Sequence, residues 1–102
     1  MDLRTTLREL ADVFKRYGDD EWASDMRQRA AFVTVDCRVL RELRGMFGSW
    51  GSLTDRTIAR ENGHRVADLD DARQANRELD RLRSKLYATI TELMSDLGCD
   101  GH

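Results

Sequence analysis

Proline is missing altogether from the 102 residues. With it goes the usual helix breaker, a ring that removes an amide donor and collides with the preceding turn. Long uninterrupted helices are therefore permitted. Cysteine is nearly absent, with only Cys37 and Cys99, whose spacing suggests neither a disulfide framework nor a zinc site. Histidine is confined to His64 and His102. A zinc site needs three or four ligands at defined spacing. Cys99, Asp100 and His102 crowd together only in a glycine-containing end segment, 97–102, which reads as a frayed tail. No metal and no cofactor is expected. No stretch approaches the roughly 20 apolar residues of a membrane helix. The opening MDLRTTLREL lacks the apolar run of a signal peptide. The expected address is the cytoplasm, with no membrane partner. A basic excess is also missing: 17 basic residues face 19 acidic ones, for a net charge of −2. A nucleic-acid binder of this length usually shows a basic stripe, so the balance argues against a nucleic-acid partner.

What is present suffices for one core. Hydrophobic residues make up 40% and charged residues 35% of the chain, which argues against wholesale disorder. The length fits a single domain over 1–102. Residues 2–17 predict an amphipathic helix, with Leu3, Leu7, Leu10, Ala11 and Phe14 on one face, Asp2 as N-cap and Gly18 just past the end. Asp19, Asp20 and Glu21 place acids at the start of a second helix, 20–31, with Trp22, Ala23, Met26 and Ala30 on a shared face. Phe32-Val33-Thr34-Val35 reads either as a bend or as a continuation. Leu40, Leu43 and Phe47 then resume the helical period.

Residues 45–53, GMFGSWGSL, break the helical grammar with three glycines in seven residues. Further on, Asn62-Gly63 between short runs predicts a small two-stranded β-hairpin. From about Asp68 to Leu97, Leu69, Ala72, Leu79, Leu82, Leu86, Ile90, Leu93 and Leu97 form a near-heptad stripe. A helix of that length is about 45 Å long. Part of its stripe suits the N-terminal helices, and the remainder could support a homodimer or receive a partner. The expected fold is mainly α, three to four helices with a small β-hairpin before a long C-terminal helix.

The chemistry of catalysis is not written in the chain. There is no P-loop, no dinucleotide fingerprint and no nucleophile elbow. Ser49 and Ser52 flank Trp50-Gly51, and His64 lies a dozen residues on, but no poised nucleophile–base set is spelled out. Asp68, Asp70 and Asp71 suit capping of the long helix. The Arg38, Arg41, Arg44 and Arg73, Arg77, Arg81 rows interleave with Asp36, Glu42, Glu78 and Asp80, as on solvated helix faces. The expectation is therefore a binding protein and not an enzyme. Its contact candidates are Phe47, Trp50 and Leu53 in the glycine loop, because glycine lets backbone approach closely and aromatics anchor interfaces. They also include Asn62 and His64 of the hairpin and the acids Asp68, Asp70 and Asp71. The other reading of Phe47, Trp50 and Leu53 is a plug for the end of the core.

FGSWGSLTD at 47–55, ENGHRV at 61–66 and LDRLRSKLYATITEL at 79–93 together resemble a family of small bacterial proteins of unknown function. In that family a phenylalanine-glycine-glycine-methionine-glycine-serine-leucine-asparagine-aspartate motif precedes a short hairpin and a closing helix. Ser49, Trp50 and Thr54 depart from the motif. Tyr17-Gly18 and Trp22 are similar to its N-terminal segment. Such families often resemble immunity proteins encoded beside toxins. The resemblance implies a protein that binds a cognate bacterial toxin and masks its active site, with no catalytic residues. The alternatives are a helical homodimeric structural or regulatory interaction module and a nucleic-acid-binding regulator that reads through the Arg rows. Were the toxin a nuclease, Asp68, Asp70 and Asp71 would be natural phosphate decoys.

Overall fold

A computed structural model describes residues 3–47 and 57–99. Four helices account for most of them: α1 (Leu3–Arg16), α2 (Asp20–Phe32), α3 (Cys37–Arg44) and α4 (Leu69–Asp96). The molecule measures 45 × 23 × 22 Å. A straight helix with the 28 residues of α4 is about 42 Å long, so α4 spans the long axis; α1 and α3 pack on it, and α2 packs on α1.

Each helix starts and stops for a local reason. The α1 chain ends where Gly18 adopts φ 81°, which an L side chain rarely tolerates. There the Asp19 N–H donates to Phe14 O at 2.8 Å and the Gly18 N–H to Lys15 O at 3.2 Å, the paired bonds of a Schellman turn. Asp19 then caps α2, its carboxylate accepting the Trp22 N–H at 3.2 Å. Residues 33–36 form a bend, which decides the ambiguous Phe32–Val35 stretch. Asp36 restarts the helix by accepting the Val39 N–H and the Thr34 hydroxyl, each at 2.9 Å. Gly98, at φ 68°, closes α4 as Gly18 closes α1, and the Cys99 N–H donates to Met94 O at 2.8 Å.

The core is built from the expected faces. Leu7, Leu10 and Phe14 of α1, Met26 of α2, Leu40 and Leu43 of α3 and Leu79, Leu82, Leu86 and Ile90 of α4 are all buried. The α4 stripe is thus consumed inside the chain over its central turns. Its two ends are not: Leu69 is 68% and Leu97 47% exposed. Lys85 of α4 and Glu9 of α1 add an ion pair at 3.3 Å, a small surface contribution.

Three expectations need correction. No strand occurs among the described residues, so the β-hairpin is absent. A type I′ turn needs positive φ at both central residues, and Gly63 alone of Asn62 and Gly63 has it. A turn of 3-10 helix, Arg60–Asn62, stands in its place. The flanking backbone is also engaged elsewhere. Ile58 gives its N–H and C=O to the Asn76 side chain at 2.7 and 2.8 Å, and the Arg65 N–H donates to Tyr17 O at 2.7 Å.

The tail is not frayed at its start, since residues 97–99 form the turn that closes α4 and Cys99 is buried. Finally, Cys37 and Cys99 form a disulfide with 5.6 Å between their Cα atoms. Their separation of 62 residues hides the pairing, which the antiparallel packing of α3 on α4 creates. A cross-link closing a loop of that size removes on the order of 4 kcal/mol of entropy from the unfolded chain.

Candidate functional site

The predicted contact residues divide into those spent on the fold and those left over. His64 belongs to the first group. Its Nδ1 accepts the Ala59 N–H at 3.1 Å, which places the proton of the neutral ring on Nε2. That nitrogen meets Asp19 Oδ2 at 2.9 Å, with both side chains buried. The Ala59–His64 pair is closed by the His64 N–H on Ala59 O at 3.2 Å, so a ring nitrogen occupies the place of a strand carbonyl. Histidine with an aspartate partner is half of a catalytic arrangement. Here the second nitrogen is taken by a backbone amide, and none is left to activate a nucleophile.

Asn62 is likewise engaged, its Nδ2 donating to Thr57 O at 3.0 Å. Asp68 is the N-cap of α4 and accepts the Asp71 N–H at 2.9 Å, while Asp71 accepts the Ala67 N–H at 2.9 Å. This reciprocal capping satisfies two amides at the helix start. Asp68 and Asp70 are both exposed, but Asp70 takes no part in these capping bonds and is loosely paired with Arg73 at 3.7 Å. Trp50 and Leu53 lie outside the described residues, as do Asp2, Ser49, Ser52, Asp100 and His102. Cys99, proposed and set aside as a metal ligand, is consumed by its disulfide. Among the described residues no cluster of three or more His, Cys, Asp or Glu could hold a metal ion.

Asp68 borders a smaller pocket at the start of α4, and Phe47 lines a larger open feature. Phe47 is half-buried and meets Tyr87 of α4 edge-on, with ring centroids 5.2 Å apart. Around this pair lies a groove of about 900 Å³, walled by Arg44 and Phe47 on one side and by Asp80, Arg83, Ser84, Tyr87 and Ala88 of α4 on the other. Arg83 is 13% exposed and ion-paired with Asp80. Arg44 is half-buried and forms no ion pair among the described residues. The groove therefore places the Arg44 guanidinium, unpaired among the described residues, beside an aromatic pair. Guanidinium geometry suits carboxylate and phosphate partners. Aromatics and arginine are the side chains that anchor interface centres.

Arg44, Arg83 and Tyr87 were not singled out as a set in the sequence. A signal exists: Arg44 and Phe47 stand three apart and Arg83 and Tyr87 four apart, each on one helix face beside the leucine stripe. Nothing in the one-dimensional pattern, however, says that the two faces meet.

Residues 15–67 match the family model of DUF6966, a domain of unknown function, just over half of the chain. The protein belongs to this family. The matched stretch runs from the end of α1 through α2, α3 and the capped loop, and stops before α4. Its two ends are joined in space by the Asp19–His64 and Tyr17–Arg65 hydrogen bonds. No curated protein and no solved structure matches the chain.

Proposed function

We propose that this DUF6966 protein is a non-catalytic binding protein that neutralises a protein toxin by covering its working surface, with the α3–α4 groove as its grip. The half-buried guanidinium of Arg44, which forms no ion pair among the described residues, carries this reading. Desolvating a charge without a partner is costly, so a position that does so inside a groove suits an incoming carboxylate. Phe47 and Tyr87 supply apolar area next to it. The partner surface would then present an acidic side chain flanked by an apolar one. The acids favoured from sequence as phosphate decoys support the reading less, since Asp68 and Asp71 are occupied at the α4 cap.

The size is adequate. An interface of roughly 800 Å² per partner suffices for a stable complex. Such an inhibitor need do no chemistry.

Co-expression with the product of the adjacent reading frame tests the proposal. The expected result is protection from that product and a stable complex on co-purification. The double change Arg44→Glu with Tyr87→Ala should weaken the complex by at least about tenfold, with the helical circular dichroism unchanged. A wild-type chain that gives neither complex nor protection refutes the toxin reading. A double variant that binds as well as wild type refutes the groove as the grip.

A second reading, self-association, is favoured by one observation. Phe32 and Val35, just before α3, are 77% and 52% exposed, and Leu97 is exposed beside Cys99. The disulfide brings Val35 and Leu97 to one end of the molecule. Sedimentation at micromolar concentration separates the readings: a monomer throughout excludes the dimer.

A further inference from the structure

We propose that the Cys37–Cys99 bond is a redox latch that holds α3, and with it one wall of the groove, against α4. Cys37 is the first residue of α3, and Cys99 lies in the turn that closes α4. The bond therefore ties the N-terminal end of a short helix to the C-terminal end of the longest one. At 8 residues, α3 is too short to persist in isolation. It packs chiefly on α4. Apart from the disulfide, its anchors among the described residues are the buried Leu40 and Leu43, the half-buried Val39, the following Met46 and Phe47 and the exposed Asp36 cap. By contrast, α1 is held by a far larger buried face that includes Leu3, Leu7, Leu10 and Phe14. Opening the bond removes a principal constraint from α3 and none from α1 and α2. Arg44 and Phe47, at the far end of α3, move with it.

The chemistry is thiol–disulfide exchange with a dithiol reductant. Cys37 is half-buried and Cys99 buried, so Cys37 Sγ is the more accessible sulfur. A reductant thiolate bonds to Cys37 Sγ as the Sγ–Sγ bond breaks, and Cys99 leaves as a thiolate that takes up a proton. The second thiol of the reductant then displaces Cys37, which also takes up a proton. The chain ends with two thiols and the reductant with one disulfide, a transfer of two electrons and two protons. Cytosolic thiols keep such pairs reduced, whereas oxidising compartments preserve them. The latch thereby reports the compartment in which the protein finds itself.

A plain staple would act differently. It would constrain the unfolded chain and change the protection of all helices together. Amide hydrogen exchange of the full chain, oxidised and then reduced with dithiothreitol, distinguishes the two. The expected result is that the exchange rate of α3 relative to α1 rises at least about tenfold on reduction, while the helical circular dichroism is largely kept. A ratio constant to within about twofold overturns the latch, whether all segments speed up or none does. Loss of the whole helical signal overturns it as well, because the bond would then be holding the entire domain. The double variant Cys37→Ser with Cys99→Ser should show the reduced pattern without reductant and no response to it. The consequence for binding rests on the groove reading, but the exchange ratio does not, so failure of either leaves the other standing.

Discussion

Two regions of this molecule use polar side chains in opposite ways. Around the corner between α1 and α2, the loop at 57–67 is knotted by side chains. Asn76 grips both backbone groups of Ile58, His64 joins Ala59 to Asp19, and Arg60 reaches the carbonyls of Val66 and Ala67 at 3.1 and 2.7 Å. Along α3 and the middle of α4, Arg44, Phe47, Arg83 and Tyr87 border open space. The residues that look most chemical in the sequence, His64, Asn62 and the Asp68–Asp71 cluster, are largely those the fold consumes. The residues that look like ordinary helix surface are those it leaves available. A loop without regular structure must satisfy its backbone somehow, and histidine, asparagine and aspartate do this here. A helix satisfies its own backbone and releases its side chains for other uses.

The contrast can be broken most forcefully at His64. His64→Ala takes one buried hydrogen-bond partner from the Asp19 carboxylate, which keeps the Trp22 N–H, and the side-chain partner from the Ala59 N–H, at about 3 kcal/mol in all. Urea unfolding should register that loss. A stability within about 0.5 kcal/mol of wild type would mean that the clasp is not structural, and would return His64 to the pool of functional candidates. Asn76→Ala comes next. It strips Ile58 of both backbone partners, at about 2 kcal/mol, again read by urea unfolding. Destabilisation of the same size from Arg44→Ala would erase the distinction between the regions, because a groove residue spent on binding should be nearly neutral to folding.

The smallest effect concerns pH at α3. The Val39 N–H, followed by the Thr34 hydroxyl, holds the Asp36 carboxyl below its ordinary value of 3.8. A depressed carboxylate stabilises the fold above its unfolded value and loses that contribution as pH falls through the lower folded value. The α3 end should therefore be steady from neutral pH to about pH 4 and loosen below it. The Val39 amide chemical shift would follow this change. Asp36→Ala should abolish the acid transition at that amide, and an unaltered transition in that variant would assign it to another group.

Much of the scaffold was legible because it depends on local rules. The spacing of Leu3, Leu7, Leu10 and Phe14 and of Leu79, Leu82, Leu86 and Ile90 marks helix faces, and the periodicity placed α1 and α4 within a residue or so of their observed ends. Gly18 is legible as a stop just past α1, and it carries the positive φ that a stop of this kind requires. Asn62-Gly63 misled because the hairpin rule considers only the dipeptide. The competing hydrogen bonds come from Tyr17, some 45 residues earlier, and from Asn76 on α4. Cys37 and Cys99 misled for the same reason: their partnership depends on α3 lying antiparallel to α4, and no spacing encodes that. Of the contact candidates among the described residues, Phe47 alone lines the groove; Trp50 and Leu53 lie outside the described residues.

By itself the sequence determined where helices begin, which faces they bury and where they end, since hydrophobic period, capping side chains and glycine conformations act within a few residues. Tertiary structure alone decided which polar groups are spent and which are spare, that two distant cysteines meet, and that Arg44 and Tyr87 border one groove. Those outcomes depend on which helix faces come together, a matter of packing between segments tens of residues apart that no local rule contains.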